Sequence, residues 1–64
     1  MKVNGKLIVL EEKQSLSDFL QANRYDIRII AVERNGEIVP KSTYKDIMLT
    51  DEDTLEIVNF VGGG

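Results

Sequence analysis

The stretch that decides the fold is IIAVERNGEIV, residues 29–39, in which two apolar runs flank Asn35-Gly36. Asn-Gly between β-branched residues is a strong hairpin signal, because a type I′ turn needs positive φ at both central positions. The same pair recurs at Asn4-Gly5, between residues 1–3 and residues 6–10, which are apolar after Lys6. The sequence therefore predicts two β-hairpins, one at the start of the chain and one in its middle.

A helix is predicted between the hairpins. Ser15 is a suitable N-cap, and Asp18 is a weaker form of the capping-box acid three residues later. Apolar residues at i, i+3, i+4 spacing mark one helical face, which we assign to the core: Leu16, Phe19 and Leu20. The helix should end near residues 23–24, and Tyr25 and Ile27 should cover its end.

The remainder of the chain predicts an irregular path to a last strand. A polar connection at residues 41–45 follows Pro40, the apolar residues 47–49 should anchor it to the core, and residues 51–53 form an acidic turn. The last strand spans about residues 54–60. One helix must then cover one face of a mixed sheet of four or five strands, which is an α+β fold. We expect one domain at 1–60 and a flexible tail at 61–64.

Alternation in the last strand separates two faces. Leu55 and Ile57 share one face, while Glu56, Val58 and Phe60 share the other. Glu56 must stay hydrated, so its face should be the outer one. Val58 and Phe60 would then be exposed apolar side chains, which are common on protein surfaces but beside the tail favour a docking patch.

Composition excludes several classes of function. The chain has 64 residues, 42% of them apolar, which suits one small folded domain. It contains no Cys and no His, so a disulfide, a thiolate nucleophile and the usual general base are excluded, and no catalytic residue or metal site is predicted. The net charge of −3 argues against nucleic acid as a partner. No leader or membrane-spanning pattern is present, and we expect a cytoplasmic protein.

Charge is distributed unevenly along the chain. No Lys or Arg follows Lys45, but five acidic residues do: Asp46, Asp51, Glu52, Asp53 and Glu56. This is typical of a solvated acidic turn. The alternative is a surface that docks on a basic partner and speeds association. The candidate docking residues are therefore Asp51, Glu52, Asp53 and Glu56, together with Val58, Phe60 and Val61.

The sequence ends on Gly62-Gly63-Gly64. Glycine loses the most backbone freedom on ordering and has no side chain to bury, so the run contributes nothing to folding. It is either a frayed end or cloning scar, or a reactive end whose bare backbone is gripped by another protein.

Several blocks resemble the ThiS family of small sulfur-carrier proteins. They are Val3-Asn4-Gly5, Ser15-Leu16 with Phe19-Leu20, residues 31–40 and residues 56–64. The resemblance implies the β-grasp, ubiquitin-like fold, shared with the small subunit of molybdopterin synthase and with ubiquitin-related modifiers. Three positions depart from the family pattern: Arg34 replaces an apolar residue, Tyr44 stands where Trp is frequent, and Glu52 stands where Gly is frequent.

The resemblance also implies a reaction at the tail. An E1-like adenylyltransferase of the ThiF type would use ATP to adenylate the carboxylate of Gly64, while Gly62 and Gly63 thread its channel. A persulfide enzyme would then supply sulfur, and the resulting thiocarboxylate would serve a thiazole synthase of the ThiG type in making thiamine. The chain itself would be a protein co-substrate that binds no cofactor, not an enzyme.

Three other functions stay open at this point. The same tail and fold suit a molybdopterin-type sulfur carrier, or a ubiquitin-like modifier joined to target lysines through Gly64. A binding module that uses its sheet edge or the Val58–Phe60 patch, with an irrelevant tail, is the third.

Overall fold

The computed structural model describes residues 1–60, and residues 61–64 lie outside the described residues. The elements follow the predicted order: β1 (Lys2–Val3), β2 (Lys6–Leu7), α1 (Leu16–Ala22), β3 (Ile30–Arg34), β4 (Glu37–Ile38) and β5 (Thr54–Asn59). Two 3₁₀ turns, Ile27–Ile29 and Lys41–Thr43, precede β3 and follow β4. The flexible tail at 61–64 stays a prediction.

The strands form one mixed sheet in the order β2-β1-β5-β3-β4. β1 and β5 are parallel, and the other three neighbouring pairs are antiparallel. β5 is therefore the central strand, with a partner on each side. The predicted α+β fold, a mixed sheet of four or five strands with one main helix, is confirmed.

Both Asn-Gly pairs form the predicted tight turns. φ is 52° at Asn4 and 82° at Gly5, and it is 53° at Asn35 and 87° at Gly36. Positive φ at both central residues is the condition for a type I′ turn, which matches the right-handed twist of the flanking strands. The sequence therefore sets the register of both hairpins locally.

β2 is shorter than the segment of residues 6–10. The backbone N–H of Ile8 still donates to the carbonyl of Met1 at 2.7 Å. Beyond it the chain leaves the sheet, and the Leu10 N–H donates to Asp51 Oδ1 at 3.3 Å. Ile8 and Leu10 pack against the core from outside the strand.

α1 begins and ends at the predicted positions. Ser15 Oγ accepts the Asp18 N–H at 3.0 Å, so Ser15 is the N-cap. At the other end Asn23 is the C-cap, and Arg24 takes a left-handed conformation with φ of 64°. The Tyr25 N–H then donates to the Leu20 carbonyl at 2.9 Å, which satisfies a carbonyl of the last turn.

The core lies between α1 and the inner face of the sheet. Its largest fully buried side chains come from the helix and the two longest strands: Leu16, Leu20, Ile30, Val32 and Leu55. Tyr25 and Ile27 are partly buried against this core, as predicted. Burial of the inner face leaves the other face of β5 and β3 free to interact.

The connection from Pro40 to β5 is anchored differently from the prediction. Tyr44 and Leu49 are buried, and Ile47 is partly buried, but the side chain of Met48 is 50% exposed. The expectation that Met48 anchors the connection is wrong. Met48 pairs with Ser15 in an isolated β-bridge. Side chains alternate in extended chain, so Met48 points outward because Ile47 and Leu49 on either side point inward.

Candidate functional site

β5 presents the predicted outer face. Leu55 and Ile57 are buried, whereas Glu56 and Val58 between and after them are exposed. Val58 has 58% of its surface exposed although it belongs to the central strand of the sheet. The predicted separation of the two faces of β5 is confirmed.

Strand pairing identifies the neighbours of these residues. In the β3–β5 ladder Val58 lies opposite Ala31, and Glu56 lies opposite Glu33. Glu33 also lies opposite Ile38 of β4, whose side chain is 66% exposed. On the other side of β5, Lys2 lies opposite Thr54, and Leu7 of β2 lies opposite Lys2. We define the outer face as the sheet surface formed by Lys2, Leu7, Ala31, Glu33, Ile38, Thr54, Glu56 and Val58. Sequence reasoning missed Glu33 and Ile38, which the hairpin register could have placed there.

The pair Glu33 and Glu56 is electrostatically unfavourable. The two residues are directly opposite on neighbouring antiparallel strands, a position in which like charges destabilise a sheet. Within residues 1–60 neither forms an ion pair. A cationic group placed between them would relieve this repulsion. The outer face therefore combines apolar surface with a pair of opposed carboxylates.

Phe60 lies at the edge of the outer face. Its side chain is 41% exposed, and its backbone N–H donates to the Ile29 carbonyl at 2.9 Å. The ammonium of Lys41 lies 5.0 Å from the centroid of its ring. The predicted site residues Val61, Gly62, Gly63 and Gly64 follow directly and lie outside the described residues.

The acidic turn does not present all its carboxylates. Asp51 and Glu52 are exposed, but Asp53 is only 4% exposed. Asp53 Oδ1 accepts the side-chain amide of Asn35 at 3.0 Å, and Oδ2 accepts the backbone N–H of Thr50 at 2.9 Å. The expectation that Asp53 takes part in docking is therefore corrected, because its carboxylate is turned inward to hold the turn.

The carboxylate of Asp53 also lies next to a positive charge. Arg34 Nε lies 3.3 Å from Asp53 Oδ2 as an ion pair, without hydrogen-bond geometry. Burial alone would raise the pKa of Asp53, but the Thr50 and Asn35 hydrogen bonds and the Arg34 charge together lower it below its ordinary value. Arg34, a departure from the family pattern, is thus the charge partner of a buried carboxylate.

Both turn asparagines bind β5 through their side chains. Asn4 Oδ1 accepts the Ile57 N–H at 2.7 Å, and Asn4 Nδ2 donates to the Ile57 carbonyl at 3.1 Å. Asn35 Oδ1 accepts the Thr54 N–H at 2.9 Å. Asn-Gly therefore does more than turn the chain, because each asparagine also fastens the strand that leads to residues 61–64.

Residues 1–60 contain no group of three or more His, Cys, Asp or Glu side chains arranged to hold a metal ion. In the same range no helix has both the length and the apolar character needed to cross a membrane.

The mixed sheet on a single helix makes this protein a β-grasp domain. A crystal structure of the thiamine biosynthesis protein ThiS from Geobacter metallireducens superposes with a TM-score of 0.83 and 29% identity, covering 98% of this chain and 96% of that one. The sequence profile of the ThiS family matches residues 1–64, and the chain belongs to this family.

Two proteins with similar sequences are a separate sulfur carrier and a much longer thiazole synthase. The sulfur carrier protein ThiS of Bacillus subtilis (strain 168) is 38% identical, with 100% of this chain and 98% of the relative aligned. A thiazole synthase of Paramagnetospirillum magneticum is 44% identical over 97% of this chain, which spans only 19% of that protein.

Proposed function

We propose that this protein is a sulfur carrier of thiamine biosynthesis that works as a protein co-substrate. The observation that carries the proposal is the match of the whole chain to the ThiS family, together with the end-to-end similarity to the Bacillus subtilis sulfur carrier.

Gly64 would hold the reacting group. The α-carboxyl group at the end of a chain ordinarily titrates with a pKa of about 3.3–3.7, so it is ionised at neutral pH and is a poor electrophile. Attack of this carboxylate on the α-phosphorus of ATP would give an acyl adenylate and release pyrophosphate. The terminal sulfur of a persulfide would then attack the acyl carbon and displace AMP.

Release of the thiocarboxylate needs one further reaction. A second thiol of the sulfur donor would attack the acyl disulfide, which leaves a thiocarboxylate on Gly64 and a disulfide on the donor. The sequence contains no Cys and no His, so an E1-like adenylyltransferase of the ThiF type and a persulfide enzyme would supply these groups. ATP would bind the adenylyltransferase rather than this chain.

The length and composition of residues 61–64 support delivery of Gly64 into a recessed site. Extended chain advances about 3.3–3.6 Å per residue, so the four steps from Phe60 to Gly64 would reach roughly 13–14 Å. Gly62, Gly63 and Gly64 have no Cβ to widen the passage that must admit them. Val58 and Phe60 would meanwhile contact the rim of that site.

The outer face is the surface we assign to docking. Val58, Phe60 and Val61 would supply apolar contact, and Glu56 with Glu33 would attract a cationic side chain of the partner. Asp51 and Glu52 carry exposed carboxylates that would add to the attraction of a basic surface.

Thiazole synthase is the proposed acceptor of the sulfur. In the thiazole synthases of Paramagnetospirillum magneticum and Magnetococcus marinus, a segment 44% and 34% identical to this chain belongs to the same polypeptide. Joining a carrier to its acceptor raises their effective concentration, which favours an arrangement in which the two proteins work together.

The first reaction can be tested by isotope exchange. A ThiF-type adenylyltransferase with proven activity on another carrier should catalyse ATP–pyrophosphate exchange when this protein is added. A variant lacking Gly64 is the matched control and should give no exchange. Equal exchange with and without Gly64 would refute the proposed reaction at this carboxylate.

A further inference from the structure

One hydrogen bond extends the central ladder toward the tail. The last pair of the β3–β5 ladder is Ile30 with Asn59. Beyond it the Phe60 N–H donates to the Ile29 carbonyl at 2.9 Å. The backbone of Phe60 is therefore held by the 3₁₀ turn at Ile27–Ile29, one residue before the chain leaves the described part of the protein.

A lysine from another element holds the side chain of the same residue. Lys41 Nζ donates to the Arg28 carbonyl at 3.1 Å and lies 5.0 Å from the centroid of the Phe60 ring. An ammonium within about 6 Å of a ring centroid is attracted by the negative face of the ring. Two successive carbonyls of the turn at Ile27–Ile29 therefore accept these hydrogen bonds. The Ile29 carbonyl binds the Phe60 backbone, and the Arg28 carbonyl binds the ammonium that covers the Phe60 ring.

The backbone at Lys41 is itself fixed. Pro40 has a φ of −64° and precedes the 3₁₀ turn at Lys41–Thr43. The carbonyl of Pro40 accepts the Thr43 N–H at 3.0 Å and the Thr43 hydroxyl at 2.7 Å. The long side chain of Lys41 therefore starts from an ordered turn, which lowers the entropy lost when its ammonium is placed over Phe60.

We propose that Lys41 is a positioning residue: its ammonium, anchored on the Arg28 carbonyl, fixes the Phe60 ring in the orientation in which it meets the activating partner. A ring held in one orientation loses less entropy when a partner packs against it. This inference rests on the proposed function, because it concerns how Phe60 is presented to an activating partner.

The experiment compares three variants of the full chain. Lys41→Met removes the charge and keeps an apolar stem, and Lys41→Arg restores a cation that donates to a carbonyl and stacks on a ring. Lys45→Met is the matched control, because Lys45 is exposed and within residues 1–60 makes no ion pair or cation–π contact. All three are assayed with a ThiF-type adenylyltransferase and ATP, and the KM for the carrier is separated from kcat.

We expect Lys41→Met to raise the KM for the carrier about two- to fivefold with kcat unchanged, the range that corresponds to the loss of one exposed cation–π contact. Lys41→Arg should recover most of this loss, and Lys45→Met should behave as the wild type. Phe60 is one of only two Phe residues, so its β-proton couplings can be measured without ambiguity. They should show one side-chain rotamer in the wild type and averaging in Lys41→Met.

Each other outcome has a distinct meaning. Equal KM values for Lys41→Met and Lys45→Met would overturn the inference while the wild-type turnover still supports the carrier. A raised KM with an unchanged Phe60 rotamer would also overturn it, because Lys41 would then contact the partner directly. Absence of turnover by the wild type would instead contradict the proposed function, and the rotamer measurement would still decide whether Lys41 fixes Phe60.

Discussion

The two ends of β5 are built in opposite ways. At its start the buried Asp53 accepts hydrogen bonds from Asn35 and Thr50 and pairs with Arg34. At its end Phe60 is 41% exposed and is held by one backbone hydrogen bond and one cation–π contact. The start of the strand is a dense polar network inside the domain, whereas the end is a lightly held aromatic residue on its surface.

The residues that flank the six-residue strand β5 therefore serve different purposes, Asp53 in stability and Phe60 in recognition. A buried carboxylate whose partners are all internal contributes to folding and is inaccessible to another protein. A half-exposed ring next to apolar surface contributes less to folding and is accessible to a partner. Substitutions at the start should therefore change the free energy of unfolding, and substitutions at the end should change interaction with the activating partner.

The largest effect is expected from Asp53→Asn. The change keeps the shape of the side chain but removes the charge that faces Arg34 and one acceptor, and hydrogen bonds to charged groups contribute about 1.5–3 kcal/mol. Urea unfolding should show a loss of this size. Asp51→Asn is the control, because it changes an exposed carboxylate of the same turn. It should change the free energy of unfolding by less than about 0.5 kcal/mol. Similar losses in the two variants would contradict the internal role of Asp53.

The same residue predicts a pH dependence of stability. The pKa of Asp53 in the folded protein lies below its ordinary value of 3.8, so the folded state binds a proton less readily than the unfolded chain. Its contribution to stability is therefore complete above pH 3.8 and is lost as the pH falls through the lowered pKa. Urea unfolding between pH 7 and pH 2 should show a steeper acid loss in the wild type than in Asp53→Asn. Parallel curves would contradict the depressed pKa.

At the other end of β5, Phe60→Ala should have the opposite profile. Because the ring is only partly buried, we expect the free energy of unfolding to fall by only about 1–2 kcal/mol. The KM for the carrier in the adenylation assay should rise, since the variant removes an apolar contact at the proposed rim. A loss of several kcal/mol with unchanged kinetics would show that Phe60 belongs to the core.

The smallest effect on stability is expected in the middle of the strand. Glu56→Gln removes the repulsion from Glu33 and should stabilise the protein by about 0.2–1 kcal/mol. If the outer face meets a basic partner, the same change should slow association, and the effect should shrink at high salt. Thr54→Val is a control on the same face without a change of charge. Faster association of Glu56→Gln would contradict an attractive role for this carboxylate.

The features predicted correctly from the sequence are those that residues close together in the chain determine. Asn4-Gly5 and Asn35-Gly36 impose positive φ, and the serine before α1 caps its N-terminus, so turns and helix start could be placed without the fold. Alternation in β5 likewise predicted which side chains face outward. These features depend on residues that are neighbours along the chain.

Features formed by distant residues could not be predicted in the same way. The acidic turn looks uniform in sequence, and only the approach of Asn35 and Arg34 separates the buried Asp53 from the exposed Asp51. Met48 resembles its apolar neighbours, but the pairing of this segment with Ser15 turns it outward. The cation over Phe60 comes from a turn that is distant in the chain, and it is anchored on a second turn through the Arg28 carbonyl.

The central claim, that Gly64 carries the sulfur, is tested most directly by the intact mass of the protein. Incubation with a competent ThiF-type adenylyltransferase, ATP and a persulfide donor should add the mass difference between one sulfur and one oxygen atom. Fragmentation should place that difference on Gly64. An unchanged mass, with an enzyme and donor that convert another carrier in the same preparation, would contradict the account.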